Sequence, residues 1–161
     1  MITFLYLNKS EKDVWLPRLF DLLYDNMKSI APSDLPYEEE KNEWLSNVSP
    51  AIDKAPRQII LCFDGDTLAG FLQYYIRNDL LMIEEVQVAK ALQRTTAFYR
   101  MCKYLKDKLP DAIKYVEAYA DKRNLNSISI MKKLGMEVIE DNENTPYLHL
   151  KGDVNHIRKF R

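Results

Sequence analysis

The chain has 161 residues, with 23 Lys and Arg against 24 Asp and Glu, for a formal net charge of −1. That length makes one domain, large enough to bury about two thirds of its unfolded surface without help from a metal or a disulfide. With 47% hydrophobic and 29% charged residues the composition excludes a disordered chain, and the even charge lacks the basic excess that a nucleic-acid partner demands.

In chain order, residues 2–7 are β-branched and aromatic and read as a strand. Residues 10–30 carry Val14, Leu16, Leu19, Phe20, Leu23, Tyr24 and Met27 at helical spacing, with Ser10 as N-cap and Pro17 as a kink or restart. Pro32 and Pro36 mark a loop. Residues 37–52 form a more polar helix with Trp44, Leu45 and Val48 inward, ended by Pro50 and Pro56. Residues 57–63, 67–77 and 80–88 are three strands joined by the turns Asp64-Gly65-Asp66 and Asn78-Asp79, an antiparallel meander. Residues 95–109 are helical, with Phe98, Met101, Cys102 and Leu105 on one face. Residues 113–120 alternate as a strand that a helical crossover makes parallel to the third strand of the meander. Residues 124–134 form a short helix closed by Gly135 in a left-handed C-cap, and short strands begin at 137 and 147. The basic stretch 156–161 reads as a solvated tail.

Several chemistries find no residues here. Cys62 and Cys102 have no CxxC or Cys/His partners and read as buried free thiols of a reducing cytoplasm. His149 and His156 lack a carboxylate at metal spacing, so no metal is expected. The N-terminus has neither the basic nor the long apolar part of a signal peptide. No apolar run nears the roughly 20 residues that span a bilayer, so a cytoplasmic location without a membrane partner is expected.

Two segments carry more than structure. In residues 124–136, Asn124 caps a helix, Ser127 is small enough to let a ligand lie against it, and Leu134-Gly135-Met136 turns the chain into a strand. This resembles the Asn-x-x-Ala-x-x-x-Tyr-x-x-x-Gly-Phe signature of the GNAT acyltransferases, whose element order the chain also follows. The second segment begins Ile83-Glu84-Glu85-Val86-Gln87-Val88 and runs through Gln93, Arg94, Thr95, Thr96 and Ala97 to Phe98. It is similar to the family's Ile-Glu-Asp-Leu-x-Val-x-Pro-x-Tyr-Arg-Gly-x-Gly-x-Gly, with Gln93 in the Arg position and Arg94, Thr96 and Phe98 in place of the glycines.

The resemblance implies an α+β fold, a mixed and mostly antiparallel sheet flanked by helices in the order β-α-α-β-β-β-α-β-α-β-β, with residues 1–151 as a single domain and 152–161 as a basic tail. It implies acetyl transfer from acetyl-CoA to a primary amine of a small molecule or peptide. Val86, Gln87 and Val88 would pair with the pantetheine arm like an added strand, and residues 93–98 would present N–H groups to the pyrophosphate. Asn124, Ser127 and Met131 would flank the cofactor from their helix. Homodimers are common among relatives.

A carboxylate can take the proton of the attacking amine. Adjacent strand residues face opposite sides, which puts Glu84 with Val86 and Val88; matching positions carry the base in some polyamine-acetylating relatives, so Glu84 is expected ahead of Glu85. Met131 stands where relatives place a Tyr acid, which leaves Tyr147 or Tyr119 to protonate the leaving thiolate. Glu38, Glu39 and Glu40 would favour a cationic amine if they face the cleft; otherwise they are the solvated first turn of a helix, where acids suit the dipole. The alternative to an enzyme is a protein of the same fold, weak or inactive in transfer, that binds CoA or a partner as a sensor.

Overall fold

The computed structural model describes residues 1–54 and 56–161. The elements run β1 (Ile2–Tyr6), α1 (Lys12–Met27), α2 (Tyr37–Asp53), β2 (Gln58–Asp64), β3 (Thr67–Arg77), β4 (Leu80–Val88), α3 (Ala97–Lys106), β5 (Tyr115–Asp121), α4 (Leu125–Lys133), β6 (Met136–Glu140), β7 (Tyr147–Asp153) and α5 (Asn155–Arg158). Up to β7 this is the expected α+β order, and the expected central sheet is present. Gly65 and Asn78, with φ of 60° and 56°, make the tight turns of the β2–β3–β4 meander. The seven strands lie in the order β1-β2-β3-β4-β5-β7-β6, and only β4 and β5 are parallel, because α3 carries the chain across between them.

Strand alternation sorts the core onto the two faces of the sheet. Ile59, Leu61 and Phe71 meet Leu16 and Leu19 of α1 and Ile52 of α2. Ile60, Leu72, Ile83, Val116 and Leu150 meet Phe98, Met101 and Leu105 of α3 and Ile128 and Met131 of α4. Each such side chain contributes about 1.5–3 kcal/mol by burial. Cys62 and Cys102 are buried free thiols. Among the described residues no helix is long and apolar enough to cross a membrane.

Three local expectations are corrected. Asn8, not Ser10, supplies the N-terminal cap: its side chain accepts from the Ser10 N–H in a 3-10 turn ahead of α1. Neither Pro17 nor Pro50 interrupts its helix. The bonds they forgo are to the carbonyls of Asp13 and Ser46, both exposed residues, where water can take the donor's place. The end of the chain is not a solvated tail. Val154 and Ile157 are buried, Phe160 packs 5.6 Å from Tyr99, and Arg158 donates to the carbonyls of Pro110 and Ile113. Apolar residues spaced by three (154, 157, 160) give that turn one buried face.

Candidate active site

The pairing of β4 with β5 holds from Leu80↔Tyr115 to Ile83↔Ala118 and then stops, although both strands continue. Beyond that point they diverge, and a groove of about 540 Å³ opens between them. Glu84, Glu85, Val86 and Gln87 form one wall, and Tyr119, Asp121, Asn124, Ser127 and Met131 the other. Leu23 and Met27 of α1, Glu40 of α2 and Tyr147 of β7 complete it. Pockets of this size accept small ligands. The backbone of β4 is also exposed to the groove. Ala89 donates its N–H to Ala69 on β3, so alternation turns the peptide groups of Val86 and Val88 away from β3; that of Val86 faces the space β5 has vacated, while the Val88 carbonyl accepts from Asn26 and Gln93.

The two glutamates do not face opposite sides. Gln73 pairs with Glu85 and Tyr74 with Ile83, which leaves Glu84 as the extra residue of a β-bulge. A bulge re-aims side chains, and here it sets both carboxylates on the same groove. Beyond it, Glu85 aligns with Gln87, on the α1 side, while Val86 and Val88 pack toward α3. Val86 and Val88 therefore do not keep company with Glu84 as strict alternation would have it.

The environments of the two acids differ. Glu84 receives the Arg57 Nε–H at 2.8 Å, and the guanidinium lies 4.9 Å from the Tyr75 ring. Glu85 lies deep in the protein but keeps a face on the groove. Burial pushes its carboxyl up from an ordinary 4.5 to about 7, against the lowering effect of the Gln87 side-chain N–H at 2.8 Å and of the Val86 backbone. Nearby, Arg123 donates to both carboxylate oxygens of Asp121 and holds that acid below its usual range.

The loop after β4 keeps a glycine-like backbone without glycine. Arg94 has φ of 64°, the left-handed region that a glycine enters without strain. Thr95 Oγ1 donates to the Leu92 carbonyl and accepts the Ala97 N–H. Phe98 occupies a glycine position of the family, yet its ring is buried in the core with Met101 and Leu105, on the far side from any ligand at the helix start. Val88 and residues 93–98 do not line the groove. The Gln93 side chain instead turns back and donates to the Val88 carbonyl at 3.0 Å.

On the opposite wall Asn124 caps α4 as expected, accepting the Ser127 N–H at 3.1 Å. Met131 is buried against the groove and has no proton to give. Tyr147 and Tyr119 both reach the groove, and Tyr119 stacks on His149 at 4.3 Å. Of the three acids that open α2, Glu40 lines the groove while Glu38 and Glu39 are exposed. Among the described residues no cluster of His, Cys, Asp and Glu suits a metal.

Sequence reasoning missed Asn26, Arg57, Asp121 and Arg123. Asn26 left a signal: it falls seven residues after Leu19 and four after Leu22, a polar residue on the apolar stripe of α1, and it is buried. Its Nδ2 donates to Gln87 Oε1 and to the Val88 carbonyl, both at 2.9 Å.

A mixed sheet splayed between parallel central strands, with a carboxylate-lined groove at the splay, defines a class of group-transfer folds. Residues 16–136 match the profile of the acetyltransferase (GNAT) family, and the chain belongs to that family. Its fold is similar to that of the PaiA N-acetyltransferase of Thermoplasma acidophilum in complex with coenzyme A, at 14% identity and a TM-score of 0.69, over 95% of this chain and 99% of that one. It is similar to an acetyltransferase of Thermus thermophilus at 13% identity and a TM-score of 0.73, over 95% and 97% of the two chains. A protein of Pyrococcus horikoshii matches at 14% identity with a TM-score of 0.75, over 95% and 98%. No protein of curated function matches by sequence.

Proposed function

We propose that this protein transfers an acetyl group from acetyl-CoA to a primary amine of a small molecule or peptide, with Glu85 as general base. The observation that carries the reading is the groove between diverging β4 and β5, with a deep carboxylate whose proton affinity burial has raised to about 7. A base is most effective when its pKa lies near the working pH. Glu84 was the first expectation, but its carboxylate is engaged by Arg57 at 2.8 Å.

The groove fits the cofactor. The Val86 backbone faces the gap and can pair with an amide-bearing arm as a further strand would. The start of α3 offers main-chain N–H groups to a diphosphate, Arg94 adds a cation beside them, and Phe98 is out of the way. Acetyl-CoA supplies the thioester. Glu85 takes a proton from the incoming ammonium, the nitrogen bonds to the acetyl carbon as the carbon–sulfur bond breaks, Tyr147 gives its hydroxyl proton to the departing sulfur, and the second proton of the acylated nitrogen returns to the Tyr147 phenolate to leave the neutral amide. Glu40 and Glu85, which form no ion pair among the described residues, suit an acceptor that arrives positively charged.

The test is a panel of primary amines with acetyl-CoA and a free-thiol readout. Glu85→Gln is expected to lower kcat/KM by about 100-fold or more, whereas Glu84→Gln stays within about threefold. The reverse order would return the base to Glu84. Acetyl-CoA at about 100 times its Kd should stabilise the fold by about 2.7 kcal/mol. Binding without release of thiol from any amine would favour the sensor alternative, for which Met131 in the place of an acid speaks.

A further inference from the structure

The mechanism leaves unused a chain of buried amides behind Glu85. Asn26 and Gln87 are the residues involved, 6% and 7% exposed. The chain has a fixed direction, and its source is a main-chain carbonyl. Val88 C=O can only accept, so the Asn26 side chain must turn its NH₂ toward it. The same NH₂ meets Gln87 at 2.9 Å, so Gln87 must present its oxygen there and its own NH₂ to Glu85. Reversing either amide would set NH₂ against NH₂, or oxygen against the Val88 carbonyl. Glu85 thus faces a donor that cannot become an acceptor. Gln93, on the loop that leads to α3, adds a second donor to Val88 C=O and approaches Asn26 Oδ1 at 3.4 Å.

We infer that Gln87, oriented by Asn26 and the Val88 carbonyl, is a positioning residue that donates to the Glu85 carboxylate, favours its ionised form and aims it into the groove. It rests on the reading of Glu85 as the base, but the readouts below separate the two. Other charges face Glu85 as well. Glu84, on its own strand, is paired with Arg57, and Asp121, across the groove from β5, is paired with Arg123. Glu40 on α2 is the remaining acid of the lining, and Tyr119 and Tyr147 are its phenols. From α1 the residue that faces the chain is the neutral Asn26. Burial and the neighbouring Glu84 raise the proton affinity of Glu85, so the lowering falls to Gln87 and the Val86 backbone.

The experiment is a carboxyl-carbon NMR titration of Glu85 in the full chain, run beside the pH profile of kcat/KM with the fastest amine of the panel. Gln87→Met keeps the length of the side chain and removes the donor. It should raise the Glu85 midpoint by about one to two pH units, the worth of a hydrogen bond to a charged group, and move the acidic limb of the rate profile by the same amount. Asn26→Ala, which keeps Gln87 but frees its amide to turn, should move the midpoint the same way by less, and serves if Gln87→Met fails to fold. An unmoved Glu85 midpoint in a folded variant overturns the inference. A moved midpoint with an unmoved rate profile upholds the positioning of the carboxyl and removes Glu85 as the base.

Discussion

Replacing Glu85 by Gln should make the protein more stable, and only at neutral and alkaline pH. In the native protein burial moves this carboxyl from 4.5 to about 7. Below about pH 4.5 it is protonated both folded and unfolded, and Glu and Gln then differ little. Between the two values the native state binds a proton that the unfolded chain has released, so the contribution of Glu85 falls as pH rises; above about pH 7 it is fully lost. At 1.36 kcal/mol per pKa unit, the whole span corresponds to about 3 kcal/mol. Gln cannot ionise, and its amide oxygen can still accept from Gln87. The advantage of Glu85→Gln over the parent should therefore grow by about 3 kcal/mol between about pH 4 and pH 8.5, or about 6–12 °C in Tm for a chain of this length. Urea unfolding followed by the fluorescence of Trp15 and Trp44 at the two pH values measures it. An advantage that is the same at both would mean that Glu85 is solvated like a surface acid, and the case for it as base would fall with it.

Two further predictions concern the loop after β4, and they have opposite signs. Arg94→Gly removes the strain of a left-handed non-glycine residue and should raise stability by about 1 kcal/mol, about 3 °C in Tm without ligand; a drop would mean that the side chain is holding the loop. Phe98→Gly also restores a glycine of the family, yet it should lower stability by about 4 kcal/mol or more, because the ring fills the core beside Met101. A folded, equally stable Phe98→Gly protein in urea unfolding would contradict the packing described.

The order of elements was legible because it rests on local signals: apolar spacing in the helices, Gly65 and Asn78 at tight turns, and the pairing of Asn124 with Gly135 at the two ends of α4. What was not legible depends on pairing between distant residues. Nothing in Ile-Glu-Glu-Val announces a bulge, since the extra residue exists only by reference to Gln73 and Tyr74 on the neighbouring strand. That single residue decided which way both candidate bases point. Arg57 and Glu84 are 27 positions apart, and the burial that separates Glu84 from Glu85 comes from the whole fold. Phe98 shows the converse. Its identity departs from the family at a glycine position, but its spacing with Met101, Cys102 and Leu105 had already placed it on the inner face of α3, where its ring lies.

The divergence of β4 from β5 also has a mechanical side. Only four residue pairs, Leu80↔Tyr115 to Ile83↔Ala118, stitch the β1–β4 plate of the sheet to the β5–β7–β6 plate. The two plates are levers on a short hinge at the closed end of the groove. A rotation there would be multiplied along the strands into a larger change of gape at the mouth. The width available to an acceptor is thus tied to the seam at the closed end of the groove, where Ile83 and Ala118 are both pairing residues and part of the lining.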